Sequence, residues 1–309
     1  MTTQAIRLRI GGYQGENSVL TAGLRTFAEE LRKAAGDIVD IEVVNDVTAH
    51  GMTAQSLFDG IESGDFDMGY MNSSYLTARV PELAVIDIPF SQSDRYAAYE
   101  ALDGEAGRML TAAIEGGTGY RVLGFWDNGF RHLTNGRRPV RTPQDCEGLI
   151  VRTLANQIYQ ETMSAMGLEP VVTDVRELRK AVATGRVDAQ ENPLTNAVVF
   201  ELYRHHPYVS LTGHFFGVAL LLTNAGWLKS LPPEAAQAVR QAAIAATIEQ
   251  RRLAARQDTE ALGVLHEHGV SVDEVDRESF ETACRGIVER ELAKLDPALT
   301  AAYLGGPKA

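Results

Sequence analysis

The stretch Gly148-Leu149-Ile150-Val151-Arg152-Thr153 has the pattern of a buried β-strand that carries one cation. Alternation along a strand places Ile150 and Arg152 on one side and Val151 and Thr153 on the other, so a guanidinium lies among apolar side chains. A desolvated arginine requires an anionic partner, and its planar fork of donors matches the two oxygens of a carboxylate. That partner is either an acidic residue of the same fold or the carboxylate of a bound ligand, and this stretch leaves both open.

The segments after this strand alternate between helix and strand, as in a lobe built on an open α/β sheet. A similar alternation runs through the first part of the chain. Two separate copies favour two doubly wound lobes over one barrel, which would need eight uninterrupted units. The predicted strands are 6–10, 38–44, 66–71, 121–126, 130–133, 148–153, 168–172, 187–190, 208–211, 215–223 and 270–272, with an extended segment at 81–90. The predicted helices are 18–35, 53–63, 73 onward, 94–115, 156–167, 174–184, 193 onward, 231–263 and 276–295.

The junctions between the two copies suggest where the lobes begin and end. Asn128-Gly129 between two apolar strands is typical of a hairpin turn, so we expect a hairpin-like crossing into the second lobe. The helix that runs to Gly263 would span about 45 Å at 1.5 Å per residue and would brace both lobes. We therefore expect lobe I to comprise residues 1–124 plus 214–250, and lobe II residues 125–213 plus 251–309.

The charge and hydropathy of the chain argue against several classes of partner. Of its 309 residues, 29 are Lys or Arg and 41 are Asp or Glu, so the net charge of −12 disfavours nucleic acid and anionic membranes. The longest apolar run, 215–222, is far shorter than the roughly 18 residues of a membrane span, so we expect no direct membrane insertion. The residues Met1-Thr2-Thr3-Gln4-Ala5 have none of the features of a secretion signal, so any signal peptide is expected to be absent from this sequence.

The sequence shows none of the common patterns of catalytic or cofactor chemistry. Neither HExxH nor GxSxG occurs, and the glycines after the first strand do not form GxGxxG, so we expect no metal, no cofactor and no enzyme activity. Cys146 and Cys284 have no metal-ligand spacing and are expected to be two buried free thiols rather than a long-range disulfide.

Four ordered segments resemble a known family. They are Gly129-Phe130-Arg131, the run 139–152, the run Val187-Asp188-Ala189-Gln190-Glu191-Asn192-Pro193, and 224–232 at the entry to the long helix. Together they resemble the substrate-binding proteins of tripartite ATP-independent periplasmic (TRAP) transporters, DctP-type branch. The resemblance covers essentially the whole chain. It differs from the usual pattern at Ala189, where a glycine is common, and at Cys146, where a leucine is common.

The resemblance implies a two-lobed periplasmic receptor of the periplasmic-binding-protein-like fold. Such a receptor closes on a small organic acid, as a monomer, and delivers it to the membrane subunits of a TRAP permease. The implied mechanism begins with an open state in which Arg152 and Arg131 are solvated. The carboxylate binds these arginines, and contacts from the first lobe form as the lobes close.

The resemblance also implies which residues bind the ligand. Arg152 would form a bidentate bond with the carboxylate, assisted by Arg131 and Asn192. Asn72 and Tyr13 would contact the ligand from the first lobe. Val175, Phe215 and Phe216 are further candidates, and the absence of an aromatic ring at position 175 argues against a sialic-acid-like ligand.

Some alternatives remain open. Arg179 is either a second cation for a second carboxylate or a solvated helix arginine. Glu191 either orients the arginines or acts as a general base in an enzyme of the same fold. A ligand-sensing domain of this fold is the third possibility, and the identity of the organic acid is undetermined.

Overall fold

The structure, a computed structural model, describes residues 6–35 and 39–305. Two expectations therefore lie outside the described residues: the absence of a signal in the first five residues, and Ile38 as the start of the second strand. None of the helices within these ranges is both long enough and apolar enough to cross a membrane.

The fold is mixed α/β. Its strands are β1 (Ile6–Gly11), β2 (Val39–Val44), β3 (Met68–Asn72), β4 (Tyr120–Asn135), β5 (Ile150–Thr153), β6 (Glu169–Val172), β7 (Ala189–Pro193), β8 (Tyr208–Asn224) and β9 (Ser271–Asp273). Its helices are α1 (Val19–Ala35), α2 (Ala54–Ser63), α3 (Arg95–Asp103), α4 (Glu105–Gly117), α5 (Gln157–Ala165), α6 (Val175–Ala183), α7 (Leu194–Val199), α8 (Ala225–Ser230), α9 (Pro233–Glu267), α10 (Arg277–Leu292) and α11 (Pro297–Leu304). Short 3-10 helices occur at Val47–His50, Ser73–Tyr75, Pro81–Val85, Pro143–Cys146 and Leu202–Arg204.

The chain divides into two compact units, each made of three segments. Unit 1 comprises Met1–Asn72, Leu110–Asp127 and Ala219–Ala255. Unit 2 comprises Ser73–Met109, Asn128–Val218 and Arg256–Ala309. The strands β4 and β8 and the helix α9 each contribute residues to both units.

Unit 1 is built on the strand order β2-β1-β3-β8. β1 pairs in parallel with β2 and β3, whereas β3 pairs antiparallel with β8. Leu8 and Ile10 are buried and Arg7 and Arg9 are exposed, which is the alternation that the sequence predicts for β1. The phenol oxygen of Tyr70, in β3, accepts hydrogen bonds from the backbone of the segment that follows β1.

Unit 2 contains the strand order β4-β7-β5-β6, with β9 paired to β8. β7 runs antiparallel to β4 and parallel to β5, so it lies between them. Apolar side chains of this sheet, α5 and α10 form a core in which Cys146 and Cys284 are buried free thiols, as predicted. Burial raises the pKa of both thiols to about 12.

The predicted hairpin at Asn128-Gly129 is wrong. β4 is a continuous strand of 16 residues, and residues beyond the glycine still pair with β7, Arg131 opposite Pro193. Gly129 has φ 87°, in the left-handed region that glycine adopts readily. This conformation occurs in hairpin turns, and it also occurs at bulges inside a strand that continues. The strands predicted at 208–211 and 215–223 likewise form the single strand β8 of 17 residues.

The segment between β3 and β4 differs most from prediction. The helix expected from Ser73 is a single 3-10 turn, and the extended segment at 81–90 begins with a 3-10 helix that has Pro81 in its first turn. The helix expected over 94–115 is interrupted at Gly104, where ψ is −144°. The last predicted helix ends earlier than expected, at Leu292, and a further helix, α11, begins at Pro297.

The long helix is present and is longer than predicted. α9 has 35 residues, which corresponds to about 52 Å at 1.5 Å per residue. It passes Gly263 without a break, because a single helical glycine costs only about 1 kcal/mol relative to alanine. Its residues up to Ala255 belong to unit 1 and those from Arg256 belong to unit 2.

Replacing Gly129 by alanine should destabilise the protein more than the same change at Gly148. Both glycines have positive φ, 87° and 75°, so each alanine should cost about 1–2 kcal/mol of backbone strain. A Cβ at position 129 would also lie 2.9 Å from Cβ of Pro193, whereas nothing lies within 4 Å at position 148. Urea unfolding should therefore show that Gly129→Ala lowers the free energy of unfolding by at least about 1 kcal/mol more than Gly148→Ala does. Equal losses would contradict the close contact with Pro193.

Candidate functional site

A buried ion pair joins Arg131 of β4 to Glu191 of β7. Their side chains are 1% and 0% exposed. The Arg131 guanidinium donates through Nε to Oε2 of Glu191 and through Nη2 to Oε1 at 3.0 Å and to the Glu191 carbonyl at 2.8 Å. Thr153 Oγ1, from β5, donates to the same carboxylate at 3.1 Å. Glu191 therefore binds Arg131 in bidentate geometry, which favours one fixed orientation of the guanidinium.

The electrostatics of this pair favour a charged carboxylate. Burial raises the pKa of Glu191, but the charge and hydrogen bonds of Arg131 outweigh it and bring the pKa to about 2. Nε2 of His214 lies 3.5 Å from the carboxylate, and burial lowers the pKa of this histidine. At neutral pH the cluster therefore contains an ionised Glu191 beside an uncharged His214.

Arg152 of β5 is also buried, with 1% exposure, but it has no such pairing. Its Nε donates to the Thr173 carbonyl at 2.8 Å. Its Nη2 has no hydrogen-bond partner among the residues that the structure describes. Burial lowers the pKa of Arg152, and the negative charges of Glu191 and Asp174 oppose this shift. A buried donor without a partner costs about 1–3 kcal/mol, so Nη2 is a position where an acceptor from a ligand would be stabilising.

Asn192 lies beside the ion pair, and its predicted role in ligand binding stays a prediction. Its Oδ1 accepts from Arg131 Nη2 at 3.3 Å and from Asn196 Nδ2 at 3.2 Å, and its Nδ2 donates to Gln190 Oε1 at 2.6 Å. The antiparallel pairing of β4 with β7 brings Arg131 and Asn192 together. β5 pairs in parallel with the other edge of β7, so Arg152 lies on the strand next to the one that carries Glu191 and Asn192.

The predicted open state with solvated arginines differs from this structure. Arg131 and Arg152 are each 1% exposed, and the ring of Tyr159 lies over the Arg131 guanidinium at 5.5 Å. The interpretation of Glu191 as a residue that orients the arginines agrees with its contacts to Arg131.

The remaining candidates in unit 2 occupy different surroundings. Phe215 stacks on Tyr159 at 4.1 Å between ring centroids, and Phe216 packs against Phe130 at 5.0 Å. Val175 is the half-buried first residue of α6. Arg179 is 61% exposed and pairs with Glu201, so it is a solvated helix arginine. The roles of Val175, Phe215 and Phe216 as ligand contacts stay predictions.

Tyr13 and Asn72 lie together in unit 1. The backbone N–H of Asn72 donates to the phenol oxygen of Tyr13 at 3.3 Å, and both residues are 3% exposed. The Tyr13 ring packs against Tyr70 at 5.0 Å and Phe58 at 5.6 Å. Their roles as ligand contacts also stay predictions.

A second polar cluster near the ion pair was not predicted from the sequence. The carboxylate of Asp87 accepts from Ser74 Oγ at 2.7 Å, from Thr77 Oγ1 at 2.8 Å and from Asn156 Nδ2 at 2.9 Å. Ser74 Oγ also lies 3.0 Å from the phenol oxygen of Tyr159, whose ring faces the Arg131 guanidinium at 5.5 Å. No sequence pattern marks Asp87, because its partners are between 10 and 69 residues away.

The two α/β units and the buried arginine cluster are features of an extracytoplasmic solute receptor. Residues 10–294 match the family described as bacterial extracellular solute-binding protein, family 7 (DctP). The chain belongs to this family, whose members are transport receptors and not enzymes.

Several individual proteins are similar to the chain. It is 32% identical over 277 residues to the 2,3-diketo-L-gulonate-binding periplasmic protein YiaO of Escherichia coli, covering 89% of this chain and 84% of that protein. It is 28% identical over 193 residues to the C4-dicarboxylate-binding periplasmic protein DctP of Rhodobacter capsulatus, covering 62% of this chain and 57% of that protein. The sugar acid binding protein DctPAm of Advenella mimigardefordensis, solved with galactonate, superposes with a TM-score of 0.92 at 26% identity over 97% of both chains.

Replacing Asp87 by asparagine should change how stability depends on pH. Burial raises the pKa of Asp87 to about 6 in spite of its three hydrogen bonds, compared with about 3.9 in an unfolded chain. The folded protein therefore binds the proton more tightly, so its stability should fall as the pH rises from 4 through 6. Between pH 4 and pH 6, the free energy of unfolding of the wild type should fall by up to about 3 kcal/mol relative to that of Asp87→Asn. Urea unfolding at a series of pH values would measure this difference.

The exposed Asp59, which accepts a hydrogen bond from Gln55 one helical turn away, offers a matched control. Asp59→Asn should leave the pH profile of the wild type unchanged. If the free energy of unfolding of the wild type and of Asp87→Asn changed with pH in the same way, burial would not raise the pKa of Asp87.

Proposed function

We propose that this chain is the periplasmic receptor of a TRAP transporter and that it binds the carboxylate of a small organic acid at Arg152. The observation that carries the proposal is the buried Nη2 of Arg152, which has no hydrogen-bond partner in the described part of the chain. A ligand carboxylate would provide the missing acceptor and would also neutralise a buried charge.

Arg131 has a different role in this proposal. Because Glu191 already binds it in bidentate geometry, Arg131 does not offer its full charge to a ligand. It positions Asn192 through the 3.3 Å contact between Nη2 and Oδ1. We therefore assign the carboxylate to Arg152 and a supporting role to Arg131 and Asn192.

The delivery step and the location of the protein are part of the same proposal. The receptor would act as a monomer in the periplasm and would deliver its ligand to the membrane subunits of a TRAP permease. The names of YiaO and DctP, both periplasmic binding proteins, support this location. The solved complex of DctPAm with galactonate supports a carboxylate as the ligand.

Arg152→Ala should abolish binding of organic acids without unfolding the protein. Losing a charged hydrogen-bond partner costs about 1.5–3 kcal/mol for each bond, so two bonds to a carboxylate correspond to an affinity loss of about 100-fold or more. Isothermal titration calorimetry with an acid found by thermal-shift screening would measure this loss.

Arg152→Lys is the matched variant, because it keeps the charge and removes the planar fork. It should retain more affinity than Arg152→Ala and less than the wild type. Binding by Arg152→Ala within tenfold of the wild type would show that the carboxylate binds elsewhere.

A further inference from the structure

We propose that the hydroxyl of Ser74 switches its single proton between Asp87 and Tyr159. Protonation of Asp87 thereby changes the contact between the Tyr159 ring and Arg131. This device belongs to the free protein and does not depend on which acid binds at Arg152. It makes Ser74, Asp87 and Tyr159 positioning residues, because they act on a buried arginine of the site and not on the ligand.

The Ser74 hydroxyl lies between two acceptors. Its Oγ is 2.7 Å from Oδ1 of Asp87 and 3.0 Å from the phenol oxygen of Tyr159. A serine hydroxyl carries one hydrogen, so it donates to one of these acceptors at a time. All three side chains belong to buried residues, where each hydrogen bond that is made or lost has a measurable effect.

The charge of Asp87 decides which acceptor receives the proton of Ser74. An ionised carboxylate only accepts, and a hydrogen bond to a charged group is about twice as strong as one between neutral groups. The Ser74 proton therefore goes to Asp87 while this residue is ionised. A protonated Asp87 donates its own hydrogen to Ser74 Oγ, which frees the Ser74 hydrogen for Tyr159.

The hydrogen bonds of Asp87 place its proton on Oδ1. The other oxygen, Oδ2, accepts from Nδ2 of Asn156 at 2.9 Å and from Oγ1 of Thr77 at 2.8 Å. The amide of Asn156 cannot accept a proton in return, and Thr77 could reverse its bond only by donating to the Ser73 carbonyl at 3.5 Å. Ser74, the partner of Oδ1, both donates and accepts, so protonation there costs no hydrogen bond.

The ring of Tyr159 connects this switch to the buried ion pair. It lies over the Arg131 guanidinium at 5.5 Å and stacks on Phe215 at 4.1 Å. A phenol oxygen that accepts a hydrogen bond gives less electron density to its ring, which weakens the attraction between the ring and a cation. Protonation of Asp87 therefore weakens the contact on the face of the Arg131 guanidinium, while Glu191 still binds its edge.

Asp87 changes its charge near pH 6. Burial raises its pKa to about 6, and its hydrogen bonds and the charge of Arg131 oppose this shift. The three donors to its carboxylate, from Ser74, Thr77 and Asn156, also line a pocket of about 430 Å³. Solvent in this pocket therefore lies next to the hydrogen bonds of Asp87.

The other titratable groups around Asp87 respond differently to pH. The 3-10 helix Ser73–Tyr75, α5 and α11 contribute the phenols of Tyr75, Tyr159 and Tyr303, and burial raises the pKa of all three. Charged residues of α10 and the loops also line the pocket: Glu82, Glu291, Lys294 and Asp296. Histidines change charge in the same pH range, but they are present in every variant, so a comparison of variants isolates Asp87.

The test follows the wild type by NMR between pH 5 and pH 8, without added ligand. The Cζ shift of ¹³C-labelled Tyr159, identified by its absence in Tyr159→Phe, should show a step with a midpoint of about pH 6. The Nε–H signal of Arg131 should move with the same midpoint. The Nε–H signal of Arg251, which donates to the Phe125 carbonyl in unit 1, is the matched control and should show no such step.

Three variants separate the switch from burial alone. In Asp87→Asn the amide oxygen faces Asn156 and Thr77, so its N–H₂ group faces Ser74 and Tyr159 should keep its acid-side shift at every pH. Ser74→Ala removes the switching proton, so the step at Tyr159 should disappear. Thr77→Val removes a donor to Asp87 but keeps the switch, so the step should remain and its midpoint should rise.

A wild-type Tyr159 signal without a step would overturn the inference, and so would a step that persists in Asp87→Asn or Ser74→Ala. A step at Tyr159 without one at Arg131 would refute the connection to the ion pair. If Ser74→Ala fails to fold, as judged by circular dichroism, the wild type, Asp87→Asn and Thr77→Val still decide the matter.

Discussion

The bidentate contact between Arg131 and Glu191 is the interaction on which the rest of the site depends. Removing two charges from water is costly, and a buried pair is tolerated only when its geometry and surrounding hydrogen bonds are good. Here the order β4-β7-β5 places the two charges on adjacent strands and adds Thr153 from the third. That contact leaves Arg131 paired, whereas Nη2 of Arg152 has no hydrogen-bond partner in the described part of the chain.

Most secondary structure of the chain was predictable because its signals are local. The alternation of Leu8 and Ile10 with arginines, and the spacing of apolar residues in α1, depend on neighbours in sequence. The errors arose where the same local signal permits two outcomes. Asn128-Gly129 suits a hairpin, but pairing with β7, which is distant in sequence, keeps β4 continuous.

The site was predictable only in part, and for a similar reason. The resemblance to a family identified Arg131, Arg152 and Asn192, which lie on the neighbouring strands β4, β5 and β7. Asp87 was not identified, because its three partners come from two separate segments and its environment exists only after folding. The difference between the two arginines was also hidden, since it depends on which guanidinium Glu191 contacts.

The interleaving of the two units has a consequence for biosynthesis. The last segment of unit 1 ends at Ala255, and unit 2 begins at Ser73 and continues after that residue. A ribosome must therefore release most of the chain before either unit has all its strands, so domain-by-domain folding during synthesis is not available to this protein. Pairings between residues far apart in sequence also slow folding, because the loops between them must close before the contacts form.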